Sequence, residues 1–171
     1  MTTMTARERA AVCVHEAAHA VVAALHGARI ETVALTPGHP DHAGRCDHTG
    51  NLTASAEAAV TYAGPYAEAR YVYGTHPSWR EIKSVLDDQC NSNGTGDYDL
   101  LVASAGPTPR GVERLIDTAW PAVVTVARQL NAEGRADHAA VCAALGIPAV
   151  DGHLSAQASA IRAGFLPTST R

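Results

Sequence analysis

Residues 6–26 carry the pattern that most constrains how this chain folds. Apolar side chains recur there every third or fourth residue, at Ala11, Val14, Ala18, Val21, Val22 and Leu25. This is the spacing of one face of an α-helix. Thr5 and Glu8 form a T-x-x-E capping box at the start, and Gly27 suits a left-handed cap at the end. The segment therefore predicts one long, capped helix.

The rest of the chain predicts further helices around a small β element. Residues 29–35 are rich in β-branched side chains and precede Pro37 and Gly38, which is typical of a short strand, and a second strand is expected near 45–49. Helices are expected over 53–73, 78–88, 97–105, 110–131 and 135–145, with a kink or break at Pro65. We therefore expect a mainly α fold with a small β element (α+β), in which the first helix packs in a helical bundle. A single domain is expected over residues 1–150, followed by a loosely held tail over 151–171.

Composition narrows the class of protein. The chain has 171 residues, of which 46% are apolar and 18% charged, and its formal net charge is −4. This excludes a polybasic nucleic-acid binder, and no apolar run approaches the ~20 residues that cross a bilayer. Cys13, Cys46, Cys90 and Cys142 form no C-x-x-C pair, which argues against a disulfide framework and a cysteine zinc site. With no targeting segment recognised, we expect a soluble, cytoplasmic protein.

The first helix contains a metal-binding motif, because His15-Glu16-Ala17-Ala18-His19 reads H-E-x-x-H. Residues four apart on an α-helix lie ~6 Å apart along the axis and ~40° apart around it. Their imidazoles can therefore converge on one Zn²⁺. Glu16 is displaced by ~100° from His15, so it can instead take a proton from a water on the metal.

A catalytic zinc normally takes a third protein ligand and leaves one position open. A metzincin would need Gly at position 22 and His at 25, where this chain has Val22 and Leu25. A thermolysin-like site would use a downstream helical glutamate, for which Glu57 and Glu68 are candidates. Three further histidines fall in the loop expected to border the cleft and are predicted to face solvent: His39, His42 and His48.

The run V-C-V-H-E-A-A-H-A-V-V-A resembles the start of the peptidase domain of FtsH-type zinc metalloproteases (peptidase family M41), where the usual form is H-E-A-G-H-A. Residues 62–68 resemble the G-x-x-A-E segment of that family, and residues 94–100 resemble its G-A-x-x-D-L segment. The resemblance covers roughly residues 6–147. It departs from the family at Ala18, which replaces the usual glycine.

The resemblance implies a role for each matching residue: zinc ligands His15, His19 and Asp99, and the base Glu16. Asp97 is the rival third ligand, and Glu68 is a further alternative. Asp99 is favoured because a helix that starts after Gly96 would use Asp97 as its N-cap. Glu68 is assigned instead to accept a hydrogen bond from a ligating imidazole, which fixes the tautomer of that ring.

The sequence therefore predicts a soluble, Zn²⁺-dependent metallopeptidase that hydrolyses peptide bonds through a metal-activated water. The expected substrate is a peptide or an unfolded protein, paired with the edge of strand 30–35 as in the resembled family. Neither nucleic acid nor a membrane is expected as a partner, and a homo-oligomer is compatible with the sequence. No G-x-x-x-x-G-K-[ST] motif is present, so ATP-driven unfolding is not carried over. One alternative is a zinc-binding regulatory or interaction module with little turnover, over which the intact Glu16 favours the enzyme. Another is a partner of a separate ATPase, which nothing in the sequence decides.

Overall fold

The computed structural model describes residues 4–36, 38–39, 42–88, 96–103 and 109–165. Seven α-helices surround a small sheet in this part of the chain, which confirms the mainly α fold with a small β element. The helices are α1 (Ala6–Leu25), α2 (Ala54–Tyr73), α3 (Trp79–Asp88), α4 (Asp97–Ala103), α5 (Val112–Glu133), α6 (His138–Leu145) and α7 (Ala156–Arg162). The strands are β1 (Arg29–Leu35), β2 (Gly44–Thr49) and β3 (Arg135–Ala136), and a 3₁₀ turn spans Gly152–Leu154.

The central helix of the fold is α1, which packs against α2, α5, α6 and the sheet. The predicted capping box is present, since the Thr5 hydroxyl accepts a hydrogen bond from the Glu8 backbone N–H and the Glu8 carboxylate accepts one from the Thr5 backbone N–H. Gly27 follows the helix with φ of +95°, a left-handed conformation that favours glycine. Almost every residue from Ala11 to Leu25 is buried, so the motif His15–His19 lies inside the molecule.

The helix α2 passes through Pro65 without the predicted break. Proline removes one backbone hydrogen bond from a helix, and its ring crowds the carbonyl of the residue four positions earlier. The loss is tolerated here because α2 packs along α1 through small side chains, including the fully buried Ala63 and Ala67. Close packing of two helices thus overrides the local signal of a proline.

The sheet is antiparallel, with the strand order β2-β1-β3. Strand β1 is central, so both of its edges are at least partly paired, and β2 is an outer strand. The register places Gly44, the first residue of β2, opposite Leu35. The two residues of β3 were predicted to be helical; they instead pair with Val33 and Ala34 after Gly134 ends α5 with φ of +77°.

The expectation of a loose tail from residue 151 is wrong for residues 151–165, whereas 166–171 lie outside the described residues. The helix α7 buries Ala158 and Ile161 in the core. The guanidinium of Arg162 donates hydrogen bonds to the carbonyl oxygens of Leu25 and His153. This segment therefore closes the end of α1 and is part of the domain.

Two further observations bear on the class of protein. Within the described residues, no helix combines the length and the apolar character needed to cross a membrane. Cys13 is fully buried in the core, and the described cysteines Cys13, Cys46 and Cys142 form no disulfide. Cys90 lies outside the described residues.

Candidate metal centre

The two histidines of the H-E-x-x-H motif lie one above the other on α1 and face the same point. Their Nε2 atoms are 3.0 Å apart, and the rings stand nearly edge to face, with centroids 4.7 Å apart. Both side chains are buried. This convergence was predicted from the four-residue spacing, because local helix geometry alone produces it.

The other ring nitrogen of each histidine is held by α2. His15 Nδ1 lies 2.8 Å from Glu68 Oε2, and His19 Nδ1 lies 2.7 Å from the carbonyl oxygen of Val60. A carbonyl or carboxylate oxygen accepts hydrogen bonds, so each Nδ1 carries the proton and donates it. In the neutral rings both Nε2 atoms therefore present lone pairs to the space between them. Glu68 makes the imidazole contact that the sequence predicted for it.

The third member of the cluster is Asp97, and this corrects the assignment of Asp99. Asp97 Oδ2 lies 2.9 Å from His15 Nε2 and 3.2 Å from His19 Nε2. The three residues form a group able to hold a metal ion, and Asp99 is not part of it. Glu68 contacts Nδ1 rather than Nε2, so it does not take the third position either.

The start of α4 explains why Asp97 rather than Asp99 reaches the centre. The Gly96 carbonyl accepts the hydrogen bond from the Leu100 N–H at 3.0 Å, so Gly96 takes the N-cap place that was expected for Asp97. Asp97 is then the first residue of the helix, with its carboxylate directed at α1. Residues two apart on a helix point ~200° apart, so Asp99 is directed away from the side on which Asp97 lies.

Electrostatics show that this cluster needs a positive charge. Asp97 Oδ2 is buried and has no hydrogen-bond donor among the described residues, although the two imidazole nitrogens lie beside it. Burial lowers the pKa of His15, but the carboxylates of Asp97 and Glu68 beside it outweigh that effect and raise the pKa well above its usual value. Burial raises the pKa of Asp97, yet the positive charges of His19 and His15 hold it well below the ordinary range. Protons on the two imidazoles, or one divalent cation between the imidazoles and Asp97, would each supply that charge.

Gly64 of α2 faces the Nε2 atoms of both histidines. It lies in the middle of α2, and a Cβ added there would be 2.7 Å from His15 Nε2 and closer still to His19 Nε2. A ligand nitrogen binds Zn²⁺ at about 2.0–2.1 Å. The volume that a methyl group would fill thus adjoins the Nε2 atoms of His15 and His19. Two imidazoles and one carboxylate are a set of ligands that Zn²⁺ commonly takes. The residues present therefore fit a divalent metal.

Glu16 is buried next to the cluster and forms no hydrogen bond within the described part of the chain. Burial raises the pKa of its carboxyl above the ordinary value, and the nearby imidazoles of His15 and His19 lower it in part. The backbone of Gly44 packs on this side chain, since a Cβ at Gly44 would lie 2.6 Å from Glu16 Cγ. A carboxylate with a raised pKa and no fixed partner is suited to accept and return a proton.

The remaining sequence candidates lie outside the cluster. Glu57 approaches His48, with 4.0 Å between Oε2 and Nε2, and it does not reach the α1 imidazoles. His39 and His42 stack on each other with ring centroids 3.7 Å apart. Glu57 is thereby removed as a ligand, and these loop histidines contribute nothing to the described centre.

Sequence reasoning missed Val60 and Gly44 as contributors to the centre, and it gave no role to Gly64, the glycine of the G-x-x-A-E segment. Val60 acts through its backbone carbonyl, which has no signature in the sequence. Gly44 lies in an outer strand, and nothing local marks it. Gly64 did carry a signal, because a glycine inside a helix is unfavourable and usually has a packing or functional reason.

No protein-family model matches this chain, and no curated protein matches it significantly in sequence. The resemblance of the H-E-x-x-H region to the M41 peptidases therefore stays a prediction. The functional argument rests on the geometry of the centre itself.

Proposed function

We propose that the protein is a zinc-dependent peptidase. The observation that carries the proposal is the convergence of His15 Nε2, His19 Nε2 and Asp97 Oδ2 within 3.2 Å of one another, beside the buried carboxylate of Glu16. A divalent cation placed between these three atoms would have three protein ligands, and the adjacent carboxylate of Glu16 would add a base. Histidine, carboxylate and base in this arrangement are typical of metal-assisted hydrolysis.

Each residue has a separate task in this scheme. His15, His19 and Asp97 would hold the metal, while Glu68 and the Val60 carbonyl fix the two rings with Nε2 facing inward. A bound Zn²⁺ would act as a Lewis acid on a substrate carbonyl and lower the pKa of water. Glu16 would accept the proton from the attacking water and deliver it to the leaving amine. The water oxygen ends on the new carboxyl group, and the C–N bond breaks.

The substrate would lie along β2 rather than along strand 30–35. Strand β1 is paired with β2 on one side, and on the other β3 covers Val33 and Ala34, which leaves only part of the edge predicted from the sequence. No described strand pairs with the outer edge of β2. An extended peptide added there would pass Gly44 and hence the carboxylate of Glu16. A chain bound in this way has to be extended, so peptides and unfolded segments are the expected substrates.

The test combines metal analysis with turnover of a quenched-fluorescent peptide library. The purified protein should contain close to one zinc per chain. We expect Glu16→Gln to retain that zinc and to lose turnover by about 10²- to 10⁴-fold, because an amide cannot accept the proton. Glu57→Gln, an exposed carboxylate on α2 away from the cluster, is the control and should keep full activity.

Each result separates the proposal from its alternatives. Bound zinc without turnover in the wild-type protein would favour a zinc-binding regulatory or interaction module. Bound iron or manganese would point to a different chemistry, since two histidines and one carboxylate also ligate those metals. Unchanged turnover in Glu16→Gln would show that another group is the base.

A further inference from the structure

The helix α2 contains a glycine where helix stability disfavours one. Gly64 lies at the eleventh of the 20 positions of α2 and is followed by Pro65. Glycine is the least favourable residue inside a helix after proline, and an alanine at the same position would strengthen the helix. Five of the ten buried residues of α2 are alanine. The stability of α2 therefore does not explain why residue 64 is glycine.

The surroundings of Gly64 identify that cause. An added Cβ would lie 2.6 Å from His19 Cε1 and 2.7 Å from His15 Nε2, nearer than side-chain carbons come to other atoms in folded proteins. The rings cannot turn away without loss, because the Nδ1 atoms are tied to Glu68 and to the Val60 carbonyl. A side chain at this position would therefore compete for the space beside the ligand nitrogens.

We propose that Gly64 is a residue of the metal centre, and that its missing side chain provides the space in which the cation binds between α1 and α2. The inference rests on the metal-binding part of the proposed function and is independent of peptidase activity. It makes Gly64 a positioning residue, since it acts by leaving the His15 and His19 nitrogens accessible. Alanine, the smallest possible addition, is predicted to close the site.

The experiment measures zinc affinity by competition with a chromophoric chelator, using the full chain after removal of bound metal. We expect Gly64→Ala to bind zinc about 10- to 100-fold more weakly than the wild-type protein, which is the size of effect seen when the support of a metal site is disturbed. Circular dichroism should show an unchanged helical spectrum. Gly64→Ala binding zinc within about threefold of wild type would overturn the inference.

Two matched variants separate the metal effect from helix stability. Ala58→Gly makes the reverse change on the same helix and should lower the melting temperature by about 2–4 °C without changing zinc affinity. Gly44→Ala also adds a methyl group at the centre, but against Glu16 rather than the rings. It should keep zinc and lower kcat, because it displaces the base and not the ligands.

A second measurement keeps the inference testable if Gly64→Ala folds poorly. In a background that lacks both rings, His15→Ala with His19→Ala, Gly64→Ala should raise the melting temperature of the metal-free protein by about 2–4 °C, because no imidazole is left beside the new methyl group. In the wild-type background it should give no such rise. Equal shifts in both backgrounds would contradict a clash with the rings.

The outcomes also distinguish this inference from the proposed function. A wild-type protein that binds zinc but hydrolyses no peptide refutes the peptidase proposal, while the comparison of zinc affinities still tests Gly64. Zinc binding unaffected by Gly64→Ala refutes the inference and leaves the peptidase proposal standing. A wild-type protein that binds no divalent cation refutes both.

Discussion

The change Asp97→Asn tests the part of the metal centre that only the tertiary structure revealed. Asparagine has nearly the shape of aspartate, so the packing at the start of α4 is retained while the charge is removed. The carboxylate oxygen lies 2.9 and 3.2 Å from the two ligand nitrogens and is buried. We therefore expect the variant to fold and to bind metal through the two histidines with a weak amide ligand.

The size of the loss follows from the number of ligands. Structural zinc sites with four protein ligands bind with apparent free energies of about 10–16 kcal/mol, which is about 2.5–4 kcal/mol per ligand. The loss of one of three ligands should therefore lower the zinc affinity by roughly 100- to 1000-fold. A 100-fold loss removes about 2.7 kcal/mol of zinc-dependent stabilisation, which lowers the melting temperature in excess zinc by roughly 5–10 °C.

The matched control is Asp99→Asn, which removes the same charge two residues later on the same helix. Because Asp99 is not part of the cluster, the Asp99→Asn variant should bind zinc with an affinity within about threefold of wild type. Hydrogen exchange supplies a second readout. Because α4 has no fully buried residue, its backbone amides should exchange faster in Asp97→Asn than in the wild-type protein when zinc is present. Equal loss of affinity in both variants, or normal affinity in Asp97→Asn, would refute the geometric argument.

Three further predictions concern the support of the centre and the fold. Glu68→Ala should weaken zinc binding by about 10- to 100-fold in the chelator competition assay, because His15 Nδ1 loses its acceptor. Ile161→Ala should lower the free energy of unfolding by about 2–4 kcal/mol in a urea titration, because this side chain is only 1% exposed. Arg70→Ala should lower the free energy of unfolding by about 1–2 kcal/mol, because the Arg70 guanidinium pairs with Asp117 in a partly buried contact. The control for Glu68→Ala is Glu57→Ala on the same helix, and the control for Arg70→Ala is the exposed Arg128→Ala on α5. A loss in either control as large as in its partner variant would contradict the assigned contact. A loss of unfolding free energy below about 0.5 kcal/mol in Ile161→Ala would contradict the packing of that side chain in the core.

The sequence by itself determined the structural features that depend on residues close together in the chain. The capping box of Thr5 and Glu8, the helical spacing of α1 and the end of that helix at Gly27 depend on residues within a few positions of one another. His15 and His19 converge for the same reason, because four residues make about one helical turn. The two histidines of the proposed metal centre, and the glutamate between them, could therefore be identified from the order of residues alone.

Only the tertiary structure decided what meets these histidines from elsewhere in the chain. Asp97 and Asp99 are almost equivalent in the sequence, and the choice depended on whether α4 starts at Gly96 or one residue later. A shift of one residue turns every side chain of a helix by ~100°, so a small uncertainty in a boundary becomes the wrong ligand. The packing of α2 against α1 likewise decided that Gly64 faces the rings, because the orientation of one helix against another is set by the fit of all their contacting side chains. Local propensities carry no information about that fit.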